Sequence, residues 1–237
     1  MPIADQLAAA WRFDNNLTDT SGNGRTLAGG VQVTFTTDTN IVVQGTHALS
    51  GSSLSAVTWG GSAATLANTS LTLAFWLYHP AGVSNPNRIR GWENVLDLNT
   101  KTGVNLRVGG TTVRAGVGSD KTDDTKTHFA ATWDHATGDW ELWKDGALLD
   151  SGNLPGQTAD IAASSFVINI GEVASGSFEP IDMMFAWTRK LTPAEIAVIA
   201  NPSTPDPIPV FVPGRWRSMP VPARQFRFVT NCVRVYP

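Results

Sequence analysis

Residues 127–152 read THFAATWDHATGDWELWKDGALLDSG and predict three consecutive antiparallel strands. A turn at Ala136-Thr137-Gly138 separates the first strand from the second, and Asp145-Gly146 separates the second from the third. Asp-Gly between two runs of β-forming residues is a strong hairpin signal, because a two-residue turn needs positive φ at both positions. The stretch therefore indicates an antiparallel β chain.

The pattern extends to both sides of this hairpin. In residues 71–79, LTLAFWLYH, apolar residues alternate with Thr72, Ala74, Trp76 and Tyr78, as expected for a strand. Further strands are predicted at 8–13, 54–59, 93–99, 104–108, 112–117, 166–170 and 181–188. Only residues 192–201 predict a helix, with Thr192 as N-cap, Pro193 at the first turn and Glu195 at the third position. We expect an all-β, two-sheet antiparallel jelly-roll sandwich with one short C-terminal helix.

Charge divides the chain into two parts. Of its 237 residues 42% are hydrophobic and 16% charged, a composition of folded proteins. No acid follows Asp206, whereas five arginines do; removing them from 17 basic and 20 acidic residues leaves 12 against 20, a net −8 for residues 1–206. Eight of the 14 prolines lie at or beyond Pro202. We therefore predict a β-sandwich at 1–201 and an extended Pro/Arg-rich arm at 202–237.

Several compartments and partners are disfavoured. The start, MPIADQLAAAWRF, has no basic region followed by an apolar run, and no segment has the roughly 18 apolar residues of a membrane span. The single cysteine, Cys232, allows no intrachain disulfide. The acidic body would repel a polyanion. We expect synthesis in a cytoplasm without a signal peptide, no membrane and no nucleic acid.

Four segments in order carry a resemblance to a known family: WRFDNNLTDTSGNGRTL at 11–27, THFAATWDHATGDWELWKDGALL at 127–149, INIGE at 168–172 and IDMMFAWTRKLTPAEIAVIAN at 181–201. Together they resemble a laminin-G-like domain of the concanavalin A-like lectin/glucanase superfamily, over roughly residues 7–201. The resemblance implies the sandwich fold. It does not fix the function, because this superfamily contains lectins, hydrolases, adhesion modules and structural domains.

The resemblance also implies a structural Ca²⁺ ion between the first turn and the last strand. Its ligands would be oxygens of Asp19, Ser21 and Asn23, facing Asp182, since calcium prefers six to eight oxygen ligands. Met183 stands where the family carries a further acid. The alternative is a turn without an ion, in which Asp19 caps the backbone.

The tryptophans suggest glycan binding, because an exposed indole stacks on the apolar face of a sugar. Trp92, predicted to lie in a loop, and Tyr78 are the candidate contacts with a cell-surface glycan. The alternative is that the indoles fill the core, as expected for Trp133 and Trp187.

No catalytic group is predicted. The nearest pair of acids, Glu93 and Asp97, would lie about 13 Å apart on one strand, against about 5–5.5 Å for a retaining glycosidase. His128 stands at a structural histidine position of the family. We expect a non-enzymatic protein, with a polysaccharide-degrading enzyme as the weaker alternative.

The arm contains a short repeat, Val212-Pro213-Gly214-Arg215 and Val221-Pro222-Ala223-Arg224. Proline at this spacing favours extended chain that docks on a neighbour, and the segment resembles Val-Pro-Ala-Arg segments of tailed-phage virion proteins; a disordered tail is the alternative. We predict a homo-oligomeric virion protein, a capsid decoration or tail-associated protein, anchored to other virion proteins through this arm. The main alternative is a carbohydrate-binding module of a bacterial protein. The predicted docking residues are Arg215, Trp216, Arg217, Arg224, Phe226, Arg227, Phe228 and Arg234.

Overall fold

The fold was analysed in a computed structural model, which describes residues 2–28, 33–51, 56–59, 69–82, 89–92, 95–99, 103–117, 120–156, 166–169 and 179–203. The docking residues predicted in the arm, from Arg215 to Arg234, lie outside the described residues. The division of the chain at 201/202 therefore stays a prediction.

The described residues form fourteen strands and one helix. In chain order they are β1 (Leu7–Trp11), β2 (Val33–Thr36), β3 (Ala48–Gly51), β4 (Ala56–Trp59), β5 (Leu71–His79), β6 (Ile89–Trp92), β7 (Leu96–Asn99), β8 (Asn105–Val108), β9 (Thr111–Arg114), β10 (Thr125–Trp133), β11 (Asp139–Lys144), β12 (Ala147–Asn153), β13 (Phe166–Asn169), β14 (Ile181–Trp187) and α1 (Pro193–Ile199).

These strands build two antiparallel sheets, which confirms the predicted sandwich. The larger sheet has eight strands in the order β12-β11-β10-β5-β14-β3-β2, with β1 also paired to β14. The smaller sheet has six strands in the order β4-β13-β6-β7-β8-β9. The two predicted hairpins connect β10, β11 and β12 at one edge of the larger sheet.

The core follows from the alternation along β5. Leu71, Leu73, Phe75 and Leu77 are buried in one apolar cluster with residues of the smaller sheet such as Leu96 and Leu106. Ala74 and Trp76, on the opposite face, belong to a second cluster that also contains Ile196 and Ile199 of α1. The first cluster fills the space between the sheets, and the second lies on the outer face of the larger sheet, under the helix.

Helix α1 begins as predicted. Thr192 Oγ1 accepts a hydrogen bond from Glu195 N, and Glu195 Oε2 accepts one from Thr192 N at 2.9 Å, forming a complete capping box. Glu195 also pairs with Arg189, whose hydrogen bonds lower the pKa of this carboxyl to about 2. With seven residues in α1, the described part of the chain contains no helix able to cross a membrane.

The beginning of the chain is joined to the end of the sandwich. Strand β1 pairs antiparallel with β14, from Leu7 opposite Trp187 to Trp11 opposite Met184. The Trp187 indole N–H donates to Ile3 O at 2.8 Å, and the backbone N–H of Thr188 donates to Gln6 O at 3.0 Å. The first and last strands of the sandwich therefore form one continuous clasp.

Candidate functional site

The predicted metal site divides into two separate places, the first of which is the turn after β1. Asp19 is buried, and its Oδ1 accepts hydrogen bonds from the N–H groups of Ala10 (3.0 Å) and Ser21 (2.9 Å). Its Oδ2 accepts from Ser21 Oγ and Arg25 N, both at 2.9 Å. Gly22 and Gly24 have φ of 90° and 71°, values that glycine adopts without strain. Asp19 therefore caps the turn, as the alternative without an ion requires.

A protein cation lies beside this carboxylate. Arg25 Nη1 donates to Ala8 O at 2.6 Å, and Asn23 Nδ2 donates to the same carbonyl at 3.0 Å. Burial lowers the pKa of Arg25, and the charge of Asp19 raises it in compensation. Protein donors therefore already bind both carboxylate oxygens of Asp19.

Asp182, the fourth predicted ligand, binds a different segment. Its Oδ2 accepts from the N–H groups of Val43 (2.7 Å) and Gln44 (3.2 Å), and its Oδ1 from that of Met183 (2.9 Å). Burial raises the pKa of Asp182 to about 7 despite these bonds, and the charge of Asp14 raises it further. Met183, at φ 48°, lies in an irregular part of the pairing between β14 and β5.

Asp19, Ser21 and Asn23 are thus hydrogen-bonded to one another in the first turn, whereas the described hydrogen bonds of Asp182 go to Val43, Gln44 and Met183. A small cavity of about 180 Å³ next to Asp182 is lined by Arg12, Asp14, Gln44, Gly45 and Met183. Among the described residues no three His, Cys, Asp or Glu side chains are grouped so as to hold a metal ion. Calcium stays a prediction, and Asp19 is the weakest member of its proposed ligand set.

The outer face of the larger sheet carries a different arrangement, centred on two cross-strand partners. Trp76 on β5 pairs directly with His128 on β10, and the two rings meet edge to face with centroids 5.3 Å apart. Burial lowers the pKa of His128 to about 3, so its imidazole is neutral near pH 7. Neither ring nitrogen has a hydrogen-bond partner among the described residues.

The turn between β11 and β12 closes on the other side of His128. The backbone N–H of His128 donates to Asp145 Oδ1 at 2.9 Å, and Asp145 N donates to His128 O at the same distance. Asp145 has a φ of 50°, as the predicted Asp-Gly turn requires. Trp76 on β5, His128 on β10 and Asp145 in the β11–β12 turn consequently lie side by side, in that order.

A cavity of about 360 Å³ opens above these three residues, between the end of α1 and the segment 38–47. The Lys126 ammonium, two residues before His128, crosses to that segment and donates to Thr39 O (3.1 Å) and Val42 O (2.9 Å). We call this cavity the Trp76 pocket. Its lining consists of Val43, Trp76, Lys126, Asp145, Ala200 and Pro202.

The two predicted glycan contacts lie in different sheets. Tyr78 follows Trp76 on the same face of β5, opposite Lys126, and its hydroxyl donates to Asp124 Oδ1 at 3.3 Å. Trp92 is not in a loop: it ends strand β6 of the smaller sheet, where its backbone pairs with Leu96, and its side chain lies outside the description. Tyr78 lies next to the Trp76 pocket, whereas the role of Trp92 stays a prediction.

Of the two acids considered for catalysis, Glu93 and Asp97, only Asp97 is among the described residues. Asp97 is buried on β7 with Arg107 Nη1 3.7 Å from its Oδ2, and Glu93 lies outside the described residues. Another buried acid, Glu179, contacts His79 Nδ1 at 2.5 Å and accepts from Lys121 Nζ at 2.9 Å. This cluster joins the turn before β10 to the segment before β14, and is therefore structural in position.

The sequence does not reveal the pocket, because three of its lining residues stand out there for unrelated reasons: Trp76 in the alternating strand 71–79, Asp145 in a hairpin turn and Pro202 at the start of the arm. Val43 and Pro202 lie far from Trp76 in the chain. The signal available was the coincidence of Trp76, Lys126 and His128 on one face, which required knowing that β5 and β10 are neighbours.

Neither a family model nor a curated protein sequence matches the chain. Solved structures do. Domain 4 of AbnA, a GH43 extracellular arabinanase from Geobacillus stearothermophilus, solved in complex with arabinotriose, is 16% identical, with a TM-score of 0.63 over 83% of this chain and 98% of that one. The binding domain of Paraclostridial Mosquitocidal Protein 1 is 14% identical, with a TM-score of 0.64 over 84% of this chain.

The binding domain of botulinum neurotoxin serotype D is also 14% identical, with a TM-score of 0.61 over 83% of this chain. This chain spans about half the length of the two toxin chains, 52% in each case. At such identities the similarity establishes the fold alone, a β-sandwich.

Proposed function

We propose that the chain is a non-enzymatic carbohydrate-binding module that holds a glycan at the Trp76 pocket. One observation carries the proposal: an indole, a carboxylate and an ammonium group line a single cavity on the outer face of the larger sheet. Protein sites for small polar ligands typically combine apolar walls with a few fixed polar groups. Carbohydrates present both kinds of surface, since the C–H faces of the rings are apolar and the hydroxyls donate and accept hydrogen bonds.

Hydrogen bonds within the fold hold three of the lining residues in place. Asp145 Oδ1 is fixed by the backbone N–H of His128, and Val43 by the bond from its N–H to Asp182. Lys126 is fixed by two carbonyls of the facing segment. Such fixed groups reduce the entropy lost on binding, which favours affinity for a weakly interacting ligand such as a sugar.

The structural neighbours are compatible with a glycan ligand. Domain 4 of the arabinanase was solved with arabinotriose, and cell entry of botulinum neurotoxin type C depends on two ganglioside molecules, which carry sugar headgroups. These ligands belong to those proteins, and they direct the search for a ligand of this one towards carbohydrates.

A glycan array tests the proposal directly. We expect the chain of 237 residues to bind at least one class of glycan, and Trp76→Phe to weaken that binding. Trp140→Phe serves as the tryptophan control, because this indole is as buried as that of Trp76 but belongs to the cluster between the sheets and is not part of the pocket lining. An array without a reproducible signal would refute the carbohydrate-binding function.

The absence of catalysis is part of the proposal. Asp97 lies against Arg107, and His128 is neutral and buried, so neither is placed as an acid–base pair with another described acid. A reducing-sugar assay on every glycan that binds checks this. If the protein releases reducing ends and Glu93→Gln does not, the protein is a glycosidase and the proposal of a binding module is wrong.

A second function, display on a virion, is favoured by the division of charge. The five arginines beyond Asp206 are opposite in sign to the net −8 of residues 1–206, so the arm suits an acidic protein surface better than a polyanion. In this proposal the arm anchors the sandwich, as a homo-oligomer, to capsid or tail proteins. Mass spectrometry of particles purified from the source lysate should detect the chain. Particles that lack it would exclude a virion protein.

A further inference from the structure

We infer that the Trp76 pocket receives the end of an uncharged glycan chain, about one or two sugar rings, and not the interior of a polysaccharide. The inference rests on the proposed function and specifies its ligand. It is carried by three features of the pocket: the depth of the indole, the walls around it and the charges that face it.

The indole lies too deep to serve as a platform. Trp76 is only 6% exposed, and its neighbour Trp143, on the same outer face, is also 6% exposed. A polysaccharide bound along its length needs an aromatic surface that stands open in both directions. A recessed indole instead meets a ring that enters from above, as the terminal residue of a chain does.

The pocket is bounded by separate elements on different sides. Val43 belongs to the segment 38–47, Ala200 and Pro202 follow helix α1, and Asp145 is in the β11–β12 turn. Lys126 bridges from β10 to the segment 38–47 through Thr39 O and Val42 O. Its volume of about 360 Å³ lies at the lower end of the range for small-molecule sites, about 300–1,000 Å³. A short terminal portion of a glycan fits these bounds.

The charges favour a neutral ligand. Lys126 is the only cation among the described lining residues, and its ammonium donates to two carbonyls. Asp145 contributes a carboxylate to the wall, and Asp124, just before β10, accepts a hydrogen bond from the hydroxyl of Tyr78, the cross-strand partner of Lys126. His128, beneath the pocket, is neutral near pH 7 and offers no compensating positive charge. The two carboxylates of Asp145 and Asp124 outnumber the Lys126 ammonium, so a uronic or sialic acid would meet a net negative charge from these three groups, and an uncharged sugar avoids this repulsion.

Isothermal titration on the chain of 237 residues tests the inference with matched sugars. The neutral probes are arabinotriose, cellotriose, maltotriose, galactose and lactose. The acidic probes are galacturonic acid, which matches galactose, and sialyllactose, which matches lactose. A linear and a cyclic glucan, maltoheptaose and β-cyclodextrin, differ only in whether the chain has ends. We expect neutral probes to bind, each acidic partner to bind about tenfold more weakly or not at all, and the cyclic glucan to be excluded.

Two variants locate the binding. Pro202→Trp places a bulky ring at an exposed position of the rim and should reduce affinity about tenfold or more. Val198→Trp adds the same ring to the exposed side of α1, away from the lining, and should bind like the parent. Circular dichroism confirms that both variants are folded.

The outcomes separate this inference from the proposed function. If a sugar binds equally to both variants, or if the acidic or cyclic probe of a pair binds as well as its partner, the inference fails and the carbohydrate-binding function survives. If no probe and no glycan on the array binds the parent protein, both fail. Binding of neutral ends that is lost only in Pro202→Trp supports both.

Discussion

Trp76 and His128 are direct cross-strand partners whose rings meet edge to face, and the imidazole has no hydrogen-bond partner among the described residues. Burying an imidazole whose two ring nitrogens lack hydrogen-bond partners lowers the free energy of unfolding. The imidazole is retained in contact with the indole that forms the inner wall of the pocket. The pair therefore links the stability of the sheet to the shape of the candidate site.

Acid should destabilise the protein through His128. Its pKa falls from 6.5 in the unfolded chain to about 3 in the fold, so the unfolded state binds more protons between these values. The stability that it contributes is present above pH 6.5 and is lost as the pH falls towards 3, by up to about 1.4 kcal/mol per pH unit. Urea unfolding of His128→Phe across pH 4–7 should show a smaller loss than the parent.

Asp182 acts in the opposite direction, which makes this comparison necessary. Its pKa rises from 3.8 to about 7 on folding, so its contribution is present below pH 3.8 and is lost as the pH rises towards 7. The two slopes partly cancel in the parent protein. A His128→Phe variant whose pH profile matches that of the parent would show that His128 has its ordinary pKa in the fold.

Asp19 should stabilise the first turn without calcium. Asp19→Ala leaves the N–H groups of Ala10, Ser21 and Arg25 without their acceptor, and we expect a loss of about 2–4 kcal/mol. Thermal unfolding in excess EDTA and in millimolar calcium should give the same difference. A loss that appears only with calcium would instead place an ion at Asp19, as the family resemblance implies.

The buried carboxylate of Glu179 should stabilise the fold because it pairs with the buried ammonium of Lys121. Glu179→Gln leaves the Lys121 ammonium, 4% exposed, beside a neutral group, and we expect a loss of about 3–5 kcal/mol. Adding Lys121→Met should recover most of this loss. Asp123→Asn, at an acid whose side chain is 67% exposed next to His79, is the matched control and should cost less than about 1 kcal/mol.

The capping box should account for part of the stability of α1. Thr192→Ala removes the acceptor of Glu195 N, for an expected loss of about 1 kcal/mol in urea unfolding. Thr192→Ser keeps a hydroxyl at the cap and should restore most of it. Equal losses in both variants would show that the methyl group, not the hydroxyl, matters at this position.

The elements predicted from the sequence are those whose signals are local. Three such features are confirmed: the alternation in 71–79, the Asp145-Gly146 turn and the capping box at Thr192. The residues that form each feature are only a few positions apart in the chain. Strand β3, ALSG, has neither alternation nor aromatic residues, and it was missed. Strand β6 was missed for a related reason, since its four residues include a glycine and two charged or aromatic side chains without a clear period.

The candidate site could not be predicted because it depends on contacts between distant segments. Lys126 reaches Val42, and Asp182 reaches Val43, across 84 and 139 positions of the chain. Asp19 shows the converse: its role in the turn was local, and the alternative that it caps the backbone agrees with the structure. Its predicted pairing with Asp182 needed a long-range contact, and the hydrogen bonds of the two carboxylates go to different segments.

The clasp between β1 and β14 has a mechanical consequence. Leu7 lies opposite Trp187, so the chain enters β1 and leaves β14 at the same end of the pair. Tension applied between these two points would load the cross-strand hydrogen bonds one after another, beginning at that end, and not all at once. Force applied to the chain only after α1 does not pull β1 away from β14. Force applied to both ends of the sandwich would separate the two strands one hydrogen bond at a time.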